Sequence, residues 1–301
     1  MARFDYRVFL LSLLALPLAA FTQGRPSAAP ADSPAQDLNA PSEETGSSAS
    51  TSTAPSCPAR DLLFNYEDDR HGEVRQIPIW QSLNSNAFFF TTGMAIDADG
   101  APNAYNADNT GLDDLWNAGA PGHWEGIVQD KDGNPLVQGP DDPYPGFYVS
   151  CTTLADWTKR VNDPARFVDA TKIPYIVLPG EMARTVGAWP GDLAVVVNLR
   201  NGNYSYAIFA DMGTLGEGSI ALANNLGIPS DARYGGTWSG VLYLVFPGSG
   251  DHRPKSIDEI DQATQKLLDD WGGPAKLDAC AKDAPRPRRP PFARNDRSDS
   301  Q

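Results

Sequence analysis

Residues 192–211 read DLAVVVNLRNGNYSYAIFAD, two short runs of β-branched and aromatic residues parted by Asn and Gly. Runs of this kind form strands. DLAVVVN (192–198), YSYAIFAD (204–211) and, just upstream, IPYIVL (173–178) are all apolar on both alternating faces near their centres. A strand with one wet face alternates apolar and polar residues, whereas a strand apolar on both faces is covered on both sides. The three runs therefore predict the interior of a barrel or a covered sheet.

Further out, AFFFTTGMAI (87–96), GFYVSC (146–151) and GVLYLVF (240–246) have the same composition and read as additional strands. Helices are few. Ser256 and Glu259 have the spacing of a capping box, and Ile257, Ile260, Leu267 and Trp271 recur at helical intervals before Gly272, Gly273 and Pro274 stop the pattern. This helix is expected on the outside of the sheet. A shorter one is expected to start at Ser219, with Ile220, Ala223 and Leu226 on one face and Gly227 at its end. The fold class is mainly β: a closed or nearly closed β-barrel with a few short peripheral helices.

The two ends of the chain differ from this core. Arg3 and Arg7 precede the apolar run VFLLSLLALPLAA (8–20), which ends in the small residues Ala19 and Ala20, the order of a secretory signal peptide; residues 1–22 are so assigned and the protein is expected to be secreted. The run is shorter than the roughly 20 residues a membrane span needs, so no permanent span is expected. Residues 23–56 are rich in Ala, Pro, Ser and Thr and read as a disordered linker, and residues 284–301 as a disordered Pro- and Arg-rich tail. That leaves residues 57–283 as one domain. It holds 16 Lys and Arg against 31 Asp and Glu, net −15. Such a charge argues against nucleic acid as a partner and toward cationic ligands, with plain solubility as the competing explanation. A monomer is expected.

The three cysteines form no CxxC pair and suggest no zinc site. Cys57 and Cys280 stand at the two edges of the domain and are the preferred disulfide pair, leaving Cys151 free; other pairings stay open. There is no P-loop, no Rossmann fingerprint, no HExxH and no GxSxG elbow, and His71, His123 and His252 lie far apart. No metal or cofactor is expected. Carboxylates are the plentiful reactive groups, which points to acid–base chemistry such as glycoside hydrolysis by two carboxyl groups.

Asp211 ends the apolar strand YSYAIFAD, and Glu217 follows after MGTLG, between Gly216 and Gly218. A strand apolar up to its last residue delivers a partly buried carboxyl, whose raised pKa suits a general acid. Glu217 precedes the expected helix start at Ser219, where the helix dipole favours an ionised group suited to a general base. On spacing alone, capping of backbone in a Gly-rich turn is the stronger explanation of the pair.

A set of blocks in order sharpens this reading. AIFADMGTLGEGSIALA (207–223), together with FFFTTGMAIDADGAPNAYN (88–106), GLDDLWNAG (111–119), IPYIVLP (173–179), GDLAVVVN (191–198) and YLVFPGSG (243–250), resembles the chitosanases of glycoside hydrolase family 75. The likeness runs from about residue 77 to residue 273. It implies a secreted, endo-acting enzyme that cuts the β-1,4 links of chitosan with inversion, and a fold akin to double-psi β-barrels. The resemblance makes Asp211 and Glu217 the catalytic pair. The MGTLG turn between them is shorter than is usual in the family, which would bring the two groups closer together.

Asp97, Asp99 and Asn106, in the block MAIDADGAPNAYN, are candidates for substrate binding; a hairpin turn with backbone-capping carboxylates is the plainer reading of Asp97 and Asp99. Trp124 in GHWEGIV is the aromatic residue chosen first for stacking on sugar, ahead of Trp116, Trp189 and Trp238, while Asp113 and Asp114 fit a solvated helix start. The cationic substrate agrees with the negative charge. The alternatives are a related hydrolase of another amino-sugar glycan, such as deacetylated peptidoglycan, and a non-catalytic chitosan-binding module.

Overall fold

The computed structural model describes residues 57, 60–68 and 74–284. The signal peptide, the linker, nearly all of the basic tail and His71 lie outside them. The strands are β1 (Arg60–Asp68), β2 (Arg75–Ser82), β3 (Phe88–Asp97), β4 (Gly119–Ala120), β5 (His123–Trp124), β6 (Tyr175–Leu178), β7 (Leu193–Asn198), β8 (Tyr204–Met212), β9 (Glu217–Ser219) and β10 (Thr237–Phe246). The helices are α1 (Gly180–Val186), α2 (Ile220–Leu226), α3 (Ile257–Trp271) and α4 (Gly273–Asp283).

Six strands close into a barrel in the order β3-β10-β7-β8-β6-β9, with β9 returning to β3; β2 and then β1 extend the sheet beyond β3. Closure removes the edges that an open sheet leaves unpaired. Most pairs are antiparallel, but β6 runs parallel to β8 and β3 parallel to β9. The small strand β9 lies antiparallel to β6 on its other side, so β6 sits between two strands that follow one another in the chain.

Alternation along each strand explains the two-sided apolar runs. Ala194 and Val196 of β7 point into the barrel with Phe88, Phe90, Phe209 and Tyr243. Val195 and Val197 point outward and pack with Leu268, Trp271 and Leu277 of α3 and α4. Inside, the rings of Phe90 and Tyr243 stack at 4.8 Å, and the Tyr243 hydroxyl donates to the Gly93 carbonyl at 2.9 Å. A buried phenol thus keeps a partner for its polar end.

Both expected helices form where expected. Ser256 caps α3 with both arms of the capping box in place. Ser219 caps α2, and Gly227 ends it in a left-handed conformation at φ 65°. Ser219 does more than cap: its buried hydroxyl oxygen accepts from the Leu222 and Tyr175 amides at 3.1 and 3.0 Å, and its O–H donates to the Ile173 carbonyl at 2.8 Å. Ser219→Ala strands two buried amides and a carbonyl, so it should cost about 2–3 kcal/mol in a denaturant titration. A loss below about 0.5 kcal/mol would show that the hub is not needed.

Three expectations need correction. GFYVSC is not a continuous strand: Tyr148 and Ser150 each make a single bridge, to Val137 and Ile127. Its partner segment is interrupted by the turn at 130–134, where Asp130 Oδ1 accepts from the Asp132 and Asn134 amides. Gly272 does end α3, but α4 starts at once with Pro274 in its first turn, where a missing N–H costs nothing. The start of the turn after Gly111 is not solvated either, because Asp113 is buried and Asp114 pairs with Arg233 at 2.8 Å. The disulfide joins Cys57 to Cys280 on α4, and Cys151 is free.

Candidate active site

Along β8, Ala207 and Phe209 face the barrel interior. Strict alternation would send Asp211 inward as well. The register with β6 shifts here: Ile176 pairs with Phe209, but Val177 pairs with Asp211, leaving Ala210 as an extra residue. Such a bulge re-aims the next side chain. Asp211 accordingly lies beside Val177 on the outer wall, where Ala210 and Val177 pack with the long segment 98–174. Ala95 pairs with Glu217, and its neighbours Met94 and Ile96 point inward, so Glu217 also faces outward. Asp97, two residues beyond Ala95 on β3, shares that face. One bulge and three strand ends thus gather Asp97, Asp211 and Glu217 on one wall.

Asp211 is held tightly. Its Oδ1 accepts from the Thr153 amide (2.8 Å), the Thr153 hydroxyl (2.6 Å) and the Met212 amide (2.8 Å). Burial nonetheless pushes its carboxyl up to about 6; the nearby Glu217 charge adds to this while the Thr153 and Met212 hydrogen bonds oppose it. Glu217 Oε2 accepts from the Thr214 amide at 2.9 Å. Gly213 makes room for it, since a Cβ at that position would stand 3.0 Å from Oε2 and 3.1 Å from Val177. The amide of the preceding turn thus meets this carboxylate.

Asp97 and Asp99 complete the cluster. Asp97 Oδ1 accepts from the Asp99 amide at 2.8 Å, the backbone-capping turn expected of Asp-Ala-Asp-Gly. Burial raises its pKa well above the usual carboxylate range, and the charges of Asp211 and Glu217 raise it further. Asp99 Oδ1 accepts from the Tyr105 hydroxyl at 2.7 Å, and its carbonyl accepts from the Tyr175 hydroxyl at 3.0 Å. A Cβ on Gly126 would come within 2.5 Å of the Asp99 carboxylate. Burial again raises Asp99 first, followed by the charge of Asp97. Several carboxylates this close cannot all ionise at low cost.

The remaining sequence candidates, Asn106 and Trp124, lie outside the hydrogen bonds of the four carboxylates described above. The Asn106 side chain is committed to Thr110, donating to its hydroxyl at 2.7 Å and accepting from its amide at 2.8 Å. It shapes the 106–110 turn. Trp124 is half-buried, packs against the outer-wall cluster and lies 6.4 Å from the Tyr148 ring, tilted to it. Sequence reasoning missed Tyr105, Tyr175, Thr153 and Cys151. The Cys151 thiol donates to the Glu125 carbonyl at 3.4 Å, and burial, with the charges of Asp99 and Asp211, pushes its pKa up. It is a protonated thiol at the edge of the cluster. Tyr105 and Tyr175 stand inside quoted blocks but nothing local sets their hydroxyls apart, and Thr153 and Cys151 are brought to the cluster from a distant part of the chain.

The cluster sets a pH dependence of stability. Below about 3.8, the ordinary Asp value, folded and unfolded chains are both protonated at Asp97 and Asp211. As pH rises past that value the unfolded chain releases protons that the folded chain keeps, so stability falls through the range up to the folded pKa values. Asp97→Asn, which removes this penalty, should raise the melting temperature at pH 7 and leave it nearly unchanged at pH 3. Equal shifts at both pH values would show that the effect is not electrostatic.

No curated protein matches the chain. A family model does, described as the fungal chitosanase of glycosyl hydrolase group 75, and it covers residues 94–270. That span holds all four clustered carboxylates and every barrel strand, apart from the first residues of β3. The chain therefore belongs to the fungal chitosanase family, glycosyl hydrolase group 75.

Proposed function

We propose that the protein is an exported chitosanase that cuts within chitosan chains and inverts the anomeric centre, with Asp211 as general acid and Glu217 as general base. The observation that carries this reading is the placement of β6 between the strands of the two carboxylates. Val177 lies opposite Asp211, and the Ile176–Gly218 pairing puts Glu217 on its other side. The backbones bearing the pair are thus two strand spacings apart, about 9–10 Å. Inverting hydrolysis wants carboxyl groups roughly 6.5–9.5 Å apart, enough to admit a water, whereas a retaining nucleophile needs about 5 Å. Backbones at that spacing leave room for a water between the two side chains, which supports the inverting reading despite the short MGTLG turn.

In this mechanism the protonated Asp211 donates to the glycosidic oxygen as the bond breaks. Glu217 takes a proton from water as that water attacks the opposite face of the sugar. Thr153 and the Met212 amide hold Asp211 in position throughout, and the Thr214 amide holds Glu217. Burial first, and then the charges of Asp211 and Glu217, raise the pKa of Asp97, so this carboxyl resists adding negative charge beside Glu217. The negative domain draws in the cationic polymer. A disulfide spanning the domain suits an oxidising compartment, and among the described residues no helix is long and apolar enough to cross a membrane.

Reducing ends released from chitosan test the activity, and NMR of the first-formed anomer tests the inversion. A product that keeps the β configuration would refute the base role of Glu217. A general acid with a pKa of about 6 further predicts that kcat/KM falls tenfold per pH unit well above that value. A profile flat to pH 8 would remove Asp211 from the acid role.

A further inference from the structure

Among the described residues, three aromatic rings project furthest into water: Tyr234 at 85 % exposure, and Trp116 and Trp157 at 74 % each. Trp157 has the Arg166 guanidinium over its face at 4.3 Å. Among the described residues, Trp116 and Tyr234 have neither a cation nor a second ring against them. Their loops are nevertheless braced to each other. Arg233, next to Tyr234, donates from Nη1 to Asp114 Oδ1 at 2.8 Å and from Nη2 to the carbonyls of Asn109, Gly111 and Asp113 at 2.9, 3.0 and 3.0 Å. The Asp114 it grips lies two residues before Trp116, at the start of the short 3-10 helix Leu115–Ala118. Asp231 Oδ1 accepts from the Arg233 and Tyr234 amides at 2.9 Å each, which fixes the other side. Exposed rings on loops held this firmly have already lost the freedom that ligand binding would otherwise take from them.

The braced loops border the carboxylates on two sides. Asp113 Oδ2 accepts weakly, at 3.4 Å, from the same Tyr105 hydroxyl that donates to Asp99. Gly236, two residues past Tyr234, lies so close to the Met94 carbonyl that a Cβ would collide with it, and the next residue, Ala95, pairs with Glu217. The same loops carry the exposed carboxylates Asp108 and Asp231. Bare π faces beside negative charge suit a ligand that is flat-faced and cationic, because an ammonium is drawn to an indole face as well as to a carboxylate.

We infer that Trp116 and Tyr234, positioned by Arg233, form a platform that binds amino-sugar rings of the chitosan chain next to the carboxylate cluster. This rests on the chitosanase reading above. The platform holds substrate and takes no part in bond breaking, so its loss should appear in binding and KM rather than in kcat.

The test uses the full chain carrying Asp211→Asn, titrated with glucosamine hexamer by calorimetry, beside kinetics of the otherwise native enzyme on chitosan. Trp116→Ala should weaken hexamer affinity roughly 10-fold and raise KM similarly, the scale of a desolvated cation–π contact. Its kcat should stay within about twofold. Tyr234→Ala should act in the same direction, Trp116→Phe should restore part of the affinity, and melting temperatures should not move because both rings are exposed. Arg233→Ala should also raise KM, although its side chain is turned to the neighbouring loop. Affinity and KM unchanged in both alanine variants, or kcat lost at constant KM, would overturn the platform alone. No hexamer binding by the Asp211→Asn chain, together with no reducing ends from the native enzyme, would overturn the chitosanase reading and the platform with it.

Discussion

Glu217→Gln should lower kcat for chitosan by about 10²–10⁴-fold while KM changes only a few-fold, because an amide cannot accept the proton of the attacking water. Asp211→Asn should lose a similar factor on chitosan, for a different reason: the departing sugar oxygen leaves without a proton. The two losses can be told apart by the leaving group. With an aryl or fluoride leaving group that needs no proton, Asp211→Asn should recover much of its rate, and Glu217→Gln should not. Both replacements keep a side-chain oxygen, able to accept from the Thr153 and Met212 amides in one case and from the Thr214 amide in the other. Loss through unfolding is therefore not expected, and melting curves check it. Full activity in either variant would sink the assignment, and the opposite leaving-group pattern would exchange the two roles.

The second large effect concerns the Cys57–Cys280 bridge. It closes a loop with a sequence separation of 223, and loop-closure entropy for a ring of that size is about 5 kcal/mol, of which engineered and native bridges commonly deliver 2–5. Cys57→Ser with Cys280→Ser should accordingly lower the melting temperature by about 10 °C at this chain length. The loss should come from α4, whose Leu277 covers the same outer cluster as Trp271, Phe89 and Leu244. The carboxylates pack with a different stretch of the wall, so kcat at low temperature should survive. A melting temperature unmoved by removing the bridge would mean that α4 docks without it.

The contrast between what the sequence revealed and what it hid has physical causes. β6, β7, β8 and β10 were legible because strands covered on both faces have little choice but to be apolar throughout. Ser256 announced α3 because a capping box is a local device. β1 and β2, RDLLFNYED and RQIPIWQS, were not read as strands, since they lie outside the closed barrel and much of β1 is exposed. β9 is three residues, Glu-Gly-Ser, too short to show a period, yet it closes the barrel. Asp211 and Glu217 could be named as candidates only once the resemblance was added to strand end and turn. The bulge at Ala210 that turns Asp211 outward could not, because it is a property of the pairing between β8 and β6. The same holds for Tyr175 and Thr153, which reach the site only after the barrel closes.

Because β6 separates β8 from β9, the spacing of the backbones that carry Asp211 and Glu217 is set by the width of an intervening strand and not by the peptide that links them. The segment after Asp211 should therefore tolerate insertion or shortening, as a hinge pin lets a door be cut to any width without moving the frame. Two demands remain on that segment: an amide at Thr214 to meet Glu217, and a residue without a side chain at Gly213. Variation in its length should record drift rather than a change of chemistry.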